Sequence, residues 1–171
     1  SKVSLMTTTN KTPRTKCITK ADELRAALKV AGIKANQVTV KYDGSTLRVT
    51  VRDAAVSISA VEEIANGFEK VSRCHATGEI LCGGNTYVDV RYVDTAIAPV
   101  AAVIEALLLT TGEGRTVVLG GGFTAHWTGD RYRQIVTYDG PGLDRSMFCY
   151  DISGAAKRIA ALYLNARAVA A

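Results

Sequence analysis

The sequence predicts an α+β fold, with small antiparallel or mixed sheets and helices packed on one face of them. The expected order is α-β-β-α-β followed by α-β-β-β-α. Three observations predict it. Two segments with helical apolar spacing open on a hydroxyl residue with an acid three positions later, Thr19/Asp22 and Ser59/Glu62. Two alternating runs flank the tight-turn pair Asp43-Gly44. An apolar segment near residue 100 is then followed by three strand-like runs, glycine-rich turns and a last apolar helix.

Taken in order, Leu24, Ala27, Leu28 and Ala31 recur at helical spacing after Thr19, and Gly32 is the expected stop. Val38, Val40 and Tyr42 alternate with Thr39 and Lys41. After the turn, Leu47, Val49 and Val51 alternate with Arg48, Thr50 and Arg52, giving a hairpin with one apolar and one polar face. The second helix is expected to open at Ser59, to bury Val61, Ile64, Ala65 and Phe68, and to end before or around Arg73. In the next strand Val88, Val90 and Tyr92 face the helices, and Tyr87, Asp89 and Arg91 face away. A buried helix is expected over 97–110. It is followed by "RTVVLG", "FTAHW" and "RYRQIVTYD", with Gly120-Gly121-Gly122 and Thr128-Gly129-Asp130 as turns and "DGPGLD" as a loop. The last helix, from about Ser153 to Ala168, is apolar nearly all round (Ile159, Leu162, Tyr163, Leu164, Val169), which suits burial in the body or a homodimer contact.

With 171 residues and 47% apolar composition, the chain can bury a core without disulfides or metal. Residues 17–171 are expected to form one α+β domain, the alternative being subdomains 17–95 and 96–171, because no linker-like composition divides them. Residues 1–20 hold Lys2, Lys11, Arg14, Lys16 and Lys20 and no acid, so the net charge of +5 belongs to this end and the rest is balanced. Residues 1–16 therefore read as a disordered basic tail, able to add nonspecific affinity for phosphates. The most apolar stretch, 98–109, is short for a membrane span and contains Glu105, and the N-terminus lacks the apolar segment of a secretory signal. The expectation is a cytoplasmic protein with no membrane partner.

The stretch "RCHATGEILCGGN" brings together Cys74, His75, Glu79 and Cys82. Zinc sites present closely spaced ligand pairs that converge, whereas adjacent side chains such as Cys74 and His75 diverge. No metal and no cofactor are expected. The stretch reads as a helix end, a turn at Thr77-Gly78, and a second turn at Gly83-Gly84-Asn85 that sets the register of the next strand. A nucleophile built from Cys149 or Cys82 with His126 is the enzymatic alternative, but nothing in the sequence marks those residues as a dyad. No catalytic residue is assigned. "LGGGF" lacks the Lys-Ser/Thr of a phosphate-binding loop and leads to a strand, not a helix.

The remaining candidates are surfaces. Lys41, Arg48, Arg52 and Arg91 are expected around Tyr87 on the polar face of the first sheet, a pattern suited to single-stranded nucleic acid, with Asp89 on the same face and Asp53 near it. Trp127, Arg131, Tyr132 and Arg133 form a candidate partner-binding group in the second half.

The order α-β-β-α-β over residues 18–94, ending in "TGEILCGGNTYVDVRY", resembles a small accessory domain of large polyvalent proteins from plasmids and phages. The match is Thr77-Gly78-Glu79-Ile80, then Gly83-Gly84-Asn85-Thr86 and the strand, under half of the chain. The resemblance implies residence on a mobile element and binding rather than catalysis. It brings no active-site residues. It also implies a second class of partner, a host defence protein such as a nuclease or its guide complex, and so an anti-restriction or anti-CRISPR type of role.

Overall fold

The Thr19 capping box forms as the sequence predicts. The Thr19 hydroxyl accepts the Asp22 N–H at 3.2 Å, and the Asp22 carboxylate accepts the Thr19 N–H at 3.1 Å. This starts α1 (Lys20–Val30), which buries Ala21, Leu24 and Leu28. The computed structural model describes residues 19–81, 83–130 and 133–170, so the expected tail at 1–16, with Cys17 and Cys82, lies outside the described residues.

Strands β1 (Val38–Tyr42) and β2 (Thr46–Val51) pair antiparallel, Val40 opposite Val49 and Lys41 opposite Arg48. The turn between them is held by the Asp43 carboxylate, which accepts the N–H groups of Ser45 and Thr46 at 3.2 and 2.8 Å. Arg25 of α1 donates to the Val40 carbonyl, occupying an acceptor on the free edge of β1.

Helix α2 (Ile58–Asn66) departs from expectation at its start. Its cap is Ser57, whose hydroxyl accepts the Ala60 N–H at 3.3 Å. The Ser59 hydroxyl instead accepts Asn165 Nδ2 at 2.8 Å. The helix stops at Asn66, well short of Arg73, because the chain enters a ladder-like excursion in which Lys70 and Thr86 exchange N–H···O bonds at 2.9 and 2.7 Å. Within it the Thr77-Gly78 turn forms, the Gly78 N–H reaching the Cys74 carbonyl at 2.9 Å. Asn85 then ties the excursion together: it accepts the Ser72 N–H at 2.9 Å and donates to the Leu81 carbonyl at 2.8 Å. The expected helix end at this stretch is therefore corrected to an irregular two-turn loop, while the two turns stand where expected.

Strand β3 (Tyr87–Tyr92) lies parallel to β2, completing a β-α-β unit in a sheet ordered β1-β2-β3. Helices α1 and α2 cover the face carrying Val40, Leu47, Val49 and Val51.

Helix α3 (Asp94–Thr111) starts three residues before the expected 97–110 and encloses Pro99. At that length it has the span and composition of a membrane-crossing helix, the one such helix among the described residues. The expected buried helix is buried along one stripe only. Ile97, Ala101, Ile104 and Leu108 form one buried stripe, whereas Val103, Leu107 and Leu109 are 60, 42 and 55% exposed. The buried stripe packs on α4 and on the second sheet, which is where its apolar character is used.

That sheet is antiparallel throughout: β4 (Val117–Gly120), β5 (Phe123–Asp130), β6 (Arg133–Asp139) and β7 (Met147–Cys149), in sequence order. The β5–β6 turn comes later than the expected 128–130, since Thr128 and Gly129 are still paired, with Ile135 and Gln134. Strand β7 was not anticipated. Its inward residues, Met147 and Cys149, join Val136 and Tyr138 over the last helix, α4 (Ile152–Ala170). The Asp151 carboxylate accepts the Gly154 N–H and opens α4 one residue before the expected Ser153. One apolar face of α4 is taken up inside the chain, with Ile152, Ala155, Ala156, Ile159, Ala160 and Leu164 buried, whereas Val169 is exposed.

One connected cluster of buried residues runs from Leu24 in the first half to Leu164 in the last helix. The seam between the halves is fastened by Asn165. Its Oδ1 accepts both the Ser57 hydroxyl (3.0 Å) and the Ser59 N–H (3.1 Å). Asn165→Ala removes these bonds at once and leaves the buried Ser57 hydroxyl without this partner. The expected loss of stability is about 1–2 kcal/mol, read by denaturant unfolding; an unchanged midpoint would mean that water replaces the amide.

Candidate nucleic-acid interface

Strand parity brings the five predicted residues to one face of the β1-β2-β3 sheet. The register sets Lys41 beside Arg48 and Arg48 beside Asp89; one step along, Thr39, Thr50 and Arg91 line up. Tyr87 pairs with Thr46 at one end of the strands, and Arg52 follows β2 at the other. Lys41, Arg48, Arg52, Tyr87 and Arg91 are all exposed, on the side opposite α1 and α2. Tyr87, 37% exposed, is steadied by Asn85, which donates to its hydroxyl at 3.3 Å.

The charges on this face are not equal. Arg48 lies 3.4 Å from Asp43. The N–H groups of Thr46 and then Ser45 hold the Asp43 carboxyl below its ordinary range, with Arg48 adding to the effect, so the acid stays ionised beside that cation. Asp89 faces Arg48 from the next strand. Asp53 is likewise lowered, first by the Gln37 amide and then by the Ala55 N–H. Lys41, Arg52 and Arg91 make no ion pair among the described residues. The usable positive field therefore comes from these three more than from Arg48.

The second candidate group does not assemble in the same way. Trp127 lies half-buried on the inner face of the second sheet, and its indole N–H donates to the Leu108 carbonyl at 2.9 Å, closing the end of α3. It is an internal anchor rather than a partner-facing ring. Arg131 and Tyr132 lie outside the described residues, and Arg133 opens β6.

The pairing of Cys149 with His126 separates too, while Cys82 lies outside the described residues. Cys149 shares its cross-strand row with Val136 and Trp127, on the inner face, whereas His126 shares a row with Thr137 and Phe148 on the outer face. The pleat thus points Cys149 and His126 to opposite sides of the sheet, and the buried Cys149 thiol turns to Asp151 at 3.8 Å. Cys74 is partly exposed in the Cys74–Glu79 turn; the Thr77 hydroxyl, then the N–H groups of Thr77 and Ala76, draw its thiol below the ordinary range. Among the described residues no three His, Cys, Asp or Glu side chains converge as metal ligands would. A maleimide added to the native protein is expected to modify Cys74 well before Cys149, as read by peptide mapping; equal rates would contradict the burial of Cys149.

Sequence reading overlooked one surface. Phe148 in β7 and Tyr150 just after it project together from the edge of the second sheet, 57 and 73% exposed. The signal was present as "FCY", but β7 follows a loop and is only three residues long, too short to register as a strand.

Fold and site together define an α+β protein with an open, basic, aromatic-bearing sheet face. No protein-family model, no curated protein and no solved structure matches the chain.

Proposed function

We propose that this chain is a non-enzymatic accessory protein that binds single-stranded nucleic acid along the outer face of β1-β2-β3. The observation that carries the reading is the register that lines up Lys41, Arg48, Arg91 and Arg52 along one sheet face, with Tyr87 at its end, on a face that no helix covers among the described residues. Cations spaced along an open sheet can track a phosphate backbone, and an exposed ring can take a base without regard to sequence. Residence on a phage or plasmid, where such a protein would act against host restriction or CRISPR defence in the cytoplasm, is the setting suggested by the resemblance of residues 18–94.

A second reading has its own observation. Val103 and Leu107, one turn apart, are exposed together on the outside of α3, with Leu109 exposed on another flank, and exposed apolar patches mark protein contacts. Under that reading the partner is a host defence protein. Fluorescence anisotropy with labelled single-stranded DNA and RNA across a salt series, alongside a pull-down from lysate with and without nuclease, tests the two. Salt-steep binding to oligonucleotides supports the first reading. Nuclease-resistant, salt-insensitive capture of a protein, with no oligonucleotide binding, would replace it with the second.

A further inference from the structure

The outer edge of the second sheet carries chemistry that the basic face of the first does not use. Phe148 and Tyr150, two residues apart, put their rings on one side, with centroids 5.7 Å apart and planes at 81°. Next to them is a cavity of about 430 Å³ whose lining includes Arg145, from the loop before β7, and Arg158, from α4. Neither arginine makes an ion pair among the described residues. Asp151, at the start of α4, is engaged by the Gly154 N–H and the Cys149 thiol. Across the strands, Phe148 is followed on the same face by Thr137 and His126, which can hydrogen-bond a base edge.

Two exposed aromatic rings cost hydrophobic free energy unless something covers them. Two unpaired guanidinium groups beside them select an anion. A planar aromatic group that carries its own negative charge answers both, and a cavity of this size holds one nucleotide. We propose that Phe148 and Tyr150 stack one or two bases of a single-stranded nucleic acid, with Arg145 and Arg158 holding the flanking phosphates. This rests on the reading of the chain as a nucleic-acid binder, but not on the first sheet being the place where it binds.

The test uses the full chain and a short single-stranded oligonucleotide with 2-aminopurine at successive positions. Stacking on a ring changes the fluorescence of this base. In a Tyr87→Ala background, which removes the other exposed ring proposed to take a base, at least one position is expected to respond on binding. Phe148→Ala with Tyr150→Ala should abolish it and weaken binding about tenfold or more, with the salt slope unchanged because no charge is removed. Tyr150→Phe should behave as wild type. Arg145→Ala with Arg158→Ala should instead flatten the slope of log K against log salt by about 1.4 units. All four positions are exposed, so thermal melting should hold for each variant. If the double aromatic variant binds with wild-type affinity and fluorescence while substitutions on the first sheet abolish binding, this site is overturned and the function stands. If the wild type binds no oligonucleotide, both fail.

Discussion

Gly140→Ala is expected to destabilise the protein by about 3 kcal/mol, near the upper end of what one added methyl does in a packed interior. The reason is a single contact. A Cβ at residue 140 would sit 2.0 and 2.2 Å from Cδ1 and Cε1 of Phe123, distances at which atoms overlap. Phe123 has little room to withdraw: it is 0% exposed and meets Tyr163 of α4 edge-on, with ring centroids 6.2 Å apart. The backbone after β6 would have to shift instead, dragging the Gly140 carbonyl that accepts the Leu143 N–H at 3.2 Å. At roughly 2–4 °C per kcal/mol for a chain of this size, the melting temperature should fall by about 6–12 °C. Phe123→Leu in the same chain shortens the ring side of the clash, so the double variant should lose less than the two single losses together. A melting point for Gly140→Ala within about 2 °C of wild type would sink the argument, since that equals less than 1 kcal/mol.

Gly140 also shows where the sequence stops being readable. "YDG" ends β1 at Tyr42–Gly44 and β6 at Tyr138–Gly140. The first glycine is there for conformation: its φ is +98° and a Cβ would touch nothing. The second has no positive φ and is required by the ring beneath it. Local pattern reveals the first kind of constraint and cannot reveal the second, because Phe123 arrives from another strand. The same division runs through the fold. The Thr19 capping box, the Asp43 turn and the apolar alternation of β1 and β2 are set by neighbours within four residues, and they were legible. The Ser59 cap was misread because Asn165, more than a hundred residues away, claims that hydroxyl. The parallel pairing of β2 and β3 and the inward turn of Trp127 onto Leu108 are likewise tertiary choices. The basic face could be read in advance because parity alone fixes it once each strand is recognised. The Phe148–Tyr150 edge could not, because β7 is held by its register with β6 rather than by its own length.

The largest functional effect is expected from the first sheet. Removing the charges of Lys41, Arg48, Arg52 and Arg91 together should lower the salt slope of single-strand binding by about 3 units, since each neutralised phosphate contributes about 0.7. Over the range from 50 to 200 mM salt, four such contacts correspond to a loss of roughly 50-fold in wild-type affinity, a dependence that the quadruple variant should no longer show. The four should not contribute equally. Arg48 already faces Asp43 at 3.4 Å and lies opposite Asp89, so a phosphate there must compete with two carboxylates. Arg48→Ala should therefore cost less affinity than Arg52→Ala or Arg91→Ala, and Asp43→Asn should tighten binding by releasing Arg48. The order matters more than the total, because a merely solvated surface would give four small and equal effects. Stability is a separate readout: Lys41, Arg52 and Arg91 are exposed and pair with no acid among the described residues, so their truncation should move it by no more than roughly 0.5 kcal/mol. Residues 1–16 make a rival claim through Lys2, Lys11, Arg14 and Lys16. Deleting them should reduce affinity but leave the ranking Arg52 and Arg91 over Arg48 intact. Loss of all binding with that deletion would assign the affinity to the N-terminal charges and leave the sheet face as ordinary solvated surface.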